Sequence, residues 1–169
     1  MFSVAPDSWK LSQRCAELNL SPPGPAQDAD ALSEGTFCLV NQTASLGVPV
    51  EWTAQGMPRL WAYNLHYFDW LWSFLDNKST IKDERWESAK RLTQDWMFNN
   101  PMSESALGFE PYPLSLRLIN WSLLYGVKHR DLVQQDEAFN LQLLESLGRQ
   151  VKWLELNLET HIQANHLLE

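Results

Sequence analysis

The sequence is poor in basic residues and in cysteine, and each shortage narrows the possible functions. Its 13 Lys and Arg face 21 Asp and Glu, which gives a formal net charge of −8 at pH 7. A chain this acidic lacks the positive field that attracts nucleic acids or anionic membranes, so neither is expected as a partner. Cys15 and Cys38 fit neither a metal-ligand spacing nor a disulfide framework, and both are predicted to be free thiols.

Long apolar runs and the common catalytic motifs are also missing. The most apolar stretch, residues 60–75, is interrupted by Asn64, His66, Asp69 and Ser73, so no membrane-spanning helix is predicted. The chain has no glycine-rich phosphate loop, Cys-x-x-Cys, His-Glu-x-x-His or Gly-x-Ser-x-Gly. The residues therefore predict no metal and no cofactor. No secretory leader is visible, so the sequence as it stands suggests the cytoplasm and leaves the compartment open.

Tryptophan, by contrast, is abundant, with nine residues among 169. Such a surplus indicates either an aromatic core or flat surfaces on which sugar rings stack. Trp96, Trp121 and Trp153 fit helical stripes and are assigned to core packing. Trp61 and Trp70 are less constrained by the pattern, and they are the better candidates for facing a glycan.

The hydrophobic pattern changes at about residue 58. Before it, a Pro-rich linker at residues 21–30 precedes two β-prone runs, residues 36–40 and 48–52, which predict a small hairpin or a pair of extended segments. We therefore divide the chain into an extended N-terminal segment, residues 1–58, and a helical portion, residues 59–169. The expected class is all-α with a short β-prone segment at the start.

Apolar residues at helical spacing predict five helices in the second portion. The first begins near residue 60 with Asn64 as its N-cap, and the second ends before Pro101. The third is apolar almost all round, which is typical of a buried helix. The fourth has Leu141, Leu147 and Val151 in its apolar stripe. The predicted spans are residues 60–76, 83–98, 114–125, 133–158 and a last helix from about 160.

Polar residues in apolar settings mark three clusters that a plain helical core does not require. His66 is interpreted as a solvated residue that pairs with Asp69 at i+3. Arg117 and Asn120 lie inside an apolar helix, where an unpaired cation is costly, so they require a buried partner or a ligand cavity. Glu110 is the candidate partner, and both structural pairing and substrate contact remain open. The third cluster consists of His161, Asn165 and His166.

Four runs together resemble the N-terminal helical region of heparinase II/III family proteins. They are LWAYNLHYFDWL (60–71), NNP (99–101), GFEPYPLSLRLINW (108–121) and LELNLETHIQANHLLE (154–169). The resemblance covers about residues 36–169. It implies an incomplete α/α toroid of helical hairpins, followed in a full-length protein by a C-terminal domain of antiparallel β-sheets, which we expect to be missing from this chain. Family members suggest a periplasmic location if a leader is missing here.

The resemblance also implies a function, the cleavage of an acidic, uronate-containing polysaccharide by β-elimination. That reaction neutralises the uronate carboxylate so that the proton beside it can be removed. Asn165 matches the family's neutralising residue, whereas the family's Tyr and His belong to a later part of the chain. We therefore expect no lyase activity from this chain alone. Substrate contacts are expected from Trp61, Asn64, His66, Tyr67, Glu110, Tyr112, Arg117, Asn120 and His166.

Two alternatives stay open beside the lyase. One is a non-catalytic carbohydrate-binding or scaffold protein of polysaccharide metabolism, which keeps the helical region without the chemistry. The other is a purely structural helical protein, for which changes at Arg117 or Asn120 would cause no loss of function.

Overall fold

The computed structural model describes residues 20–75, 83–103 and 106–157, and within them the fold is mainly helical with one small sheet. The elements in chain order are α1 (Ala29–Ser33), β1 (Thr36–Leu39), β2 (Gln42–Ser45), α2 (Arg59–Tyr67), α3 (Trp72–Leu75), α4 (Asp83–Asn99), α5 (Pro111–Trp121), α6 (Arg130–Gln135) and α7 (Glu137–Leu156). Short 3-10 turns cover Asp69–Leu71 and Leu107–Phe109, and a π-helix covers Ser122–Lys128. The predicted helical class is confirmed at this level, and the toroid stays a prediction.

The predicted hairpin is present, but its second strand is not the expected one. β1 pairs antiparallel with β2, with Thr36 opposite Ser45 and Leu39 opposite Gln42. Val40 and Asn41 form the two-residue loop, and both have positive φ, as a type I′ turn requires. The run at residues 48–52 contains a proline, which cannot donate to a ladder, and it forms turns instead. Hydrophobicity missed β2 because this edge strand is polar and mostly exposed.

α2 differs from its prediction at both ends. It begins at Arg59, directly after Pro58, so the assignment of Asn64 as its N-cap is wrong. Asn64 lies inside the helix and its Nδ2 donates to Leu60 O at 2.8 Å. The helix ends at Tyr67, and Phe68 after it is left-handed with φ 62°. A left-handed residue commonly terminates a helix, although glycine usually occupies that position. Phe68 is fully buried, so tertiary packing overrides the continuous helical pattern.

The next helices agree with the sequence more closely. α4 confirms the predicted span within one residue at its end, where Pro101 follows. α5 begins three residues before its predicted start, with Pro111 at N1, where its missing N–H is not needed. The predicted fourth helix is two helices, α6 and α7, because Asp136 interrupts it. The carboxylate of Asp136 accepts from Phe139 N at 3.0 Å and caps α7.

The buried face of α7 matches the predicted leucine stripe only in part, at Leu147 and, partly buried, Leu154. Leu141 and Val151 are exposed, whereas Phe139, Leu143 and Leu147 are buried. These three lie four residues apart, which places them on one helix face. Leucines occur all round this helix, so periodicity alone could not choose the face. α7 continues through Gly148 without a break.

A single aromatic-rich core joins the N-terminal segment to the helices. Trp52 stacks on Phe68 and Trp70 with ring centroids 5.8 and 6.4 Å apart, and Phe37 meets Trp70 edge-on at 5.1 Å. Offset and edge-to-face pairs of this kind are favourable beyond the area they bury. The boundary proposed at residue 58 stays a prediction. Cys38 is a free, exposed thiol on β1, and Cys15 lies outside the described residues.

Candidate functional site

Polar residues of α5 bind the carbonyl groups at the buried C-terminal end of α2. Helices leave their last carbonyls without partners, and α2 ends inside the core. Asn120 Nδ2 donates to Tyr67 O at 2.9 Å, and Arg117 Nη1 donates to His66 O at 3.3 Å. Asn120 Oδ1 also accepts from Trp72 Nε1 at 2.8 Å. The sequence correctly required partners for Arg117 and Asn120, and two of the four hydrogen-bond partners are main-chain carbonyls.

Arg117 is fully buried and has no carboxylate partner among the described residues. Its Nε donates to Gln150 Oε1 at 2.8 Å, and its guanidinium carbon lies 3.9 Å from the centroid of the Trp96 ring. The negative face of that ring partly replaces a counter-ion. Burial lowers the pKa of Arg117 well below its usual value. The prediction that Glu110 is its partner is wrong, because Glu110 binds Arg59 instead.

His66 is buried, and its interpretation as a solvated partner of Asp69 is wrong. Its Nδ1 accepts a hydrogen bond of 3.0 Å from Trp96 Nε1. Burial, and then the nearby charge of Arg117, lowers the pKa of His66 to about 3, while a backbone hydrogen bond with Trp52 partly opposes them. Gly108 lies directly against the ring, since a Cβ there would come within 2.8 Å of Nδ1. His66 is therefore neutral at physiological pH and enclosed on this side.

The buried neutral His66 predicts a specific acid sensitivity. Its pKa is about 3 when folded, against about 6.5 in an unfolded chain, so the unfolded state binds the proton first as the pH falls. The contribution of neutral His66 to the free energy of unfolding is complete above pH 6.5. It is lost at about 1.4 kcal/mol per pH unit as the pH falls toward 3. Urea unfolding of the wild type and of His66→Asn at several pH values measures it. The variant should be less stable at pH 7 but lack this share of the slope, and parallel slopes would contradict the assignment.

The tryptophans expected to face a glycan are also in the core. Trp61 and Trp70 are each 1% exposed. Trp61 Nε1 donates to Gln42 O at 2.8 Å and so fixes the hairpin to α2, while Trp70 Nε1 donates to Leu65 O at 2.9 Å. The prediction that either indole ring contacts a sugar is therefore wrong. Trp96 and Trp121 are buried as predicted, and Trp153 is partly buried.

Other polar and aromatic residues form a solvent-facing surface where α2 meets the start of α5. Arg59, Tyr63 and Asn64 are on α2, Glu110 immediately precedes α5, and Tyr112 is in its first turn. We call these five residues the α2–α5 surface. The ring of Tyr112 meets that of Tyr67 edge-on, with centroids 5.6 Å apart, although Tyr67 itself is buried.

A charged triad at this surface links the two helices. Arg59 Nη2 lies 2.8 and 2.7 Å from the two oxygens of Glu110, and Arg59 Nε donates to Tyr63 Oη at 2.9 Å. The hydroxyl of Tyr63 also contacts Glu110 Oε2. The pKa of Arg59 is raised, first by its hydrogen bond to Glu110, and that of Tyr63 is raised, mainly by burial. The triad thus combines a cation, a carboxylate and an aromatic ring.

No protein-family model, curated protein or solved structure matches the chain.

The remaining candidates cannot be placed on this surface. Asn165 and His166 lie outside the described residues, as does His161. Within the part of the chain that the structure describes, no group of three or more His, Cys, Asp or Glu could hold a metal ion. No helix there is long and apolar enough to cross a membrane.

Sequence reasoning missed Arg59 and Gln150 and left Tyr63 without a role. Arg59 and Tyr63 are four residues apart, a spacing that brings side chains together on a helix, so this half of the triad had a usable signal. Gln150 offers no such signal. It is a buried glutamine on α7 whose partner, Arg117, lies 33 residues away, and its Nε2 donates to Ser146 Oγ at 2.9 Å.

Proposed function

We propose that this chain is the N-terminal helical part of a polysaccharide lyase and that its α2–α5 surface binds an acidic, uronate-containing polysaccharide. The observation that carries the proposal is the contact between Tyr63 of α2 and Glu110 at the start of α5, with Asn64 and Tyr112 close to them along the chain. Three of them, Asn64, Glu110 and Tyr112, were singled out from the sequence as substrate contacts, and they come from two segments about 50 residues apart. The surface is held in place by buried hydrogen bonds that fix α2 to α5, from Arg117 to His66 O and from Asn120 to Tyr67 O.

The chemistry of this surface suits a sugar chain. Tyrosine rings offer flat apolar faces with a polar edge, and the amide of Asn64 can bind hydroxyls. Arg59 supplies a local cation in a chain whose net charge of −8 otherwise repels polyanions. Arginine also matches the planar geometry of a carboxylate. The surface therefore has a group for each part of a uronic acid residue.

The elimination step remains a proposal that rests on the resemblance. Asn165 is matched to the group that neutralises the uronate carboxylate, and it lies outside the described residues. Within the described part, His66 and Arg117 are buried and hydrogen bonded, so we assign them to support and not to proton transfer.

Calorimetry with heparan sulfate, alginate and polygalacturonate oligomers, and with dextran as a neutral reference, tests the binding. Tyr63→Ala and Tyr112→Ala should each weaken binding of the best acidic oligomer by about tenfold, through loss of about 1.4 kcal/mol of contact energy. Phe98→Ala is the matched control, because Phe98 is an aromatic residue 87% exposed on α4, beside Gln142 and Arg149 of α7.

Three outcomes separate the candidate functions. Saturable binding of an acidic oligomer that the tyrosine variants weaken supports the proposal. Release of unsaturated uronate, followed by its ultraviolet absorbance, would extend the proposal to catalysis and contradict the expectation that this chain alone is inactive. Binding without turnover fits both the inactive lyase portion and the non-catalytic carbohydrate-binding alternative. A folded protein that binds none of the oligomers contradicts the proposal and favours a structural role.

A further inference from the structure

The pair formed by Arg59 and Glu110 contributes little to folding, and its geometry suggests another role. Surface ion pairs typically add only about 0–1 kcal/mol to stability. This one is nevertheless tightly formed, with both carboxylate oxygens within 2.8 Å of Arg59 Nη2 and the guanidinium 5.1 Å from the centroid of the Tyr63 ring. Glu110 occupies the place at Arg59 that a carboxylate from a ligand would take.

Exposure differs between the two partners. The side chain of Arg59 is 66% exposed, whereas that of Glu110 is 28% exposed. Arg59 Nη1 has no hydrogen-bond partner in the described chain, because the bonds of Arg59 come from Nε and Nη2. The cation can therefore be reached from solvent while its carboxylate partner is held against Tyr63. An incoming anion meets the arginine first.

We propose that Glu110 is a resident carboxylate that competes with the uronate carboxylate for Arg59 and thereby sets how strongly the surface prefers a charged sugar. This inference rests on the proposed function. A uronate that binds Arg59 must share it with Glu110 or displace that side chain, and the two carboxylates repel each other in either case. A neutral sugar leaves the pair intact. Glu110 thus weakens the binding of acidic chains and leaves that of neutral chains unaffected.

Glu110→Gln separates the charge of the side chain from its shape. The amide keeps an oxygen that can accept from Arg59 or Tyr63, but it leaves the charge of Arg59 unneutralised. We expect the variant to bind the best acidic oligomer of the calorimetric panel about tenfold more tightly than the wild type. Binding of the same oligomer after reduction of its carboxyl groups should not change. Arg59→Gln should remove the gain when combined with Glu110→Gln.

Glu155→Gln is the matched control for net charge. Glu155 is an exposed carboxylate that pairs with Lys152 on α7, outside the α2–α5 surface. Glu155→Gln removes the same charge from the protein as Glu110→Gln does. An equal gain in affinity in Glu155→Gln would therefore show a general reduction of repulsion between protein and oligomer, and would overturn the inference. Thermal unfolding of each variant establishes that it is folded before binding is measured.

The remaining outcomes distinguish this inference from the proposed function. If the wild type binds the acidic oligomer and Glu110→Gln binds it equally or more weakly, Glu110 is itself a sugar contact and the inference is wrong, while the proposed function stands. If neither the wild type nor any variant binds, both fail together. A gain in Glu110→Gln that depends on Arg59 and on the uronate carboxyl groups supports the inference.

Discussion

Trp96→Ala is expected to lower the free energy of unfolding by about 4 kcal/mol, which is comparable with the whole stability of a marginal domain. Trp96 packs against Phe68, Phe109 and Trp121 with ring centroids 5.5 to 5.9 Å apart. Its removal leaves a large cavity, deprives His66 Nδ1 of its donor and takes away the ring beneath the Arg117 guanidinium. The substitution therefore combines three losses of stability, from the cavity, from the hydrogen bond to His66 and from the contact with Arg117.

Trp96→Phe separates packing from hydrogen bonding in this cluster. Phenylalanine keeps an aromatic face for Arg117 but cannot donate to His66, so we expect a smaller loss of about 1–2 kcal/mol. Urea unfolding followed by circular dichroism measures both variants. If Trp96→Ala costs less than about 2 kcal/mol, the aromatic cluster does not hold the helices together as described.

Gly35→Ala should cost about 3 kcal/mol or more, because two penalties add at this position. Gly35 joins α1 to β1 with φ +75°, a conformation that side chains with a Cβ rarely adopt. A Cβ there would also lie 2.0 Å from Gly47 O and 2.8 Å from Gly47 C. Those atoms belong to the backbone of the turn that follows β2, so they cannot rotate away as a side chain could, and the bond from Leu46 N to Gly35 O would be disturbed.

Gly56→Ala supplies the matched control for the conformational part of that cost. Gly56 has φ +87°, but no atom lies within 4 Å of where its Cβ would be. Its substitution should therefore cost only about 1 kcal/mol. The difference between the two variants in chemical denaturation isolates the clash with Gly47. Equal losses at the two positions would show that the backbone at Gly47 can move aside.

Local signals explain what the sequence could predict about the fold. α4 and α5 were predicted because each combines a helical spacing of apolar residues with a proline at one boundary. Pro101 follows the end of α4, and prolines occur in the first turn of α5. β2 was missed because its four residues, three of them polar, show no hydrophobic alternation. The left-handed turn at Phe68 was missed because packing against Trp96 and Trp121 decides it. The face of α7 depends on the cap at Asp136 and on which leucines reach the core. Such choices are made by tertiary contacts that a local pattern does not contain.

For the candidate site, the sequence indicated which residues need partners, but not whether a residue is buried or which partner it has. The sequence correctly indicated that Arg117 and Asn120 need partners, because buried polar groups are costly without them. It could not indicate that the carbonyls at the end of α2 are those partners. It placed His66 and Trp61 on the surface, since a histidine near an aspartate and an unassigned tryptophan are ambiguous between core and surface. Arg59 was overlooked because its partner is 51 residues away.

The bonds from Arg117 and Asn120 to the end of α2 determine what a ligand meets. Side chains of α5 are hydrogen bonded to the main chain of α2, so the two helices hold a fixed relative position. When a ligand binds, only side chains on the α2–α5 surface need to move. A surface of this kind is preorganised, so a bound sugar chain orders few protein groups and loses little affinity to their entropy. Substitutions of Arg117 or Asn120 that remove these hydrogen bonds should therefore weaken the binding of ligands that do not contact either residue.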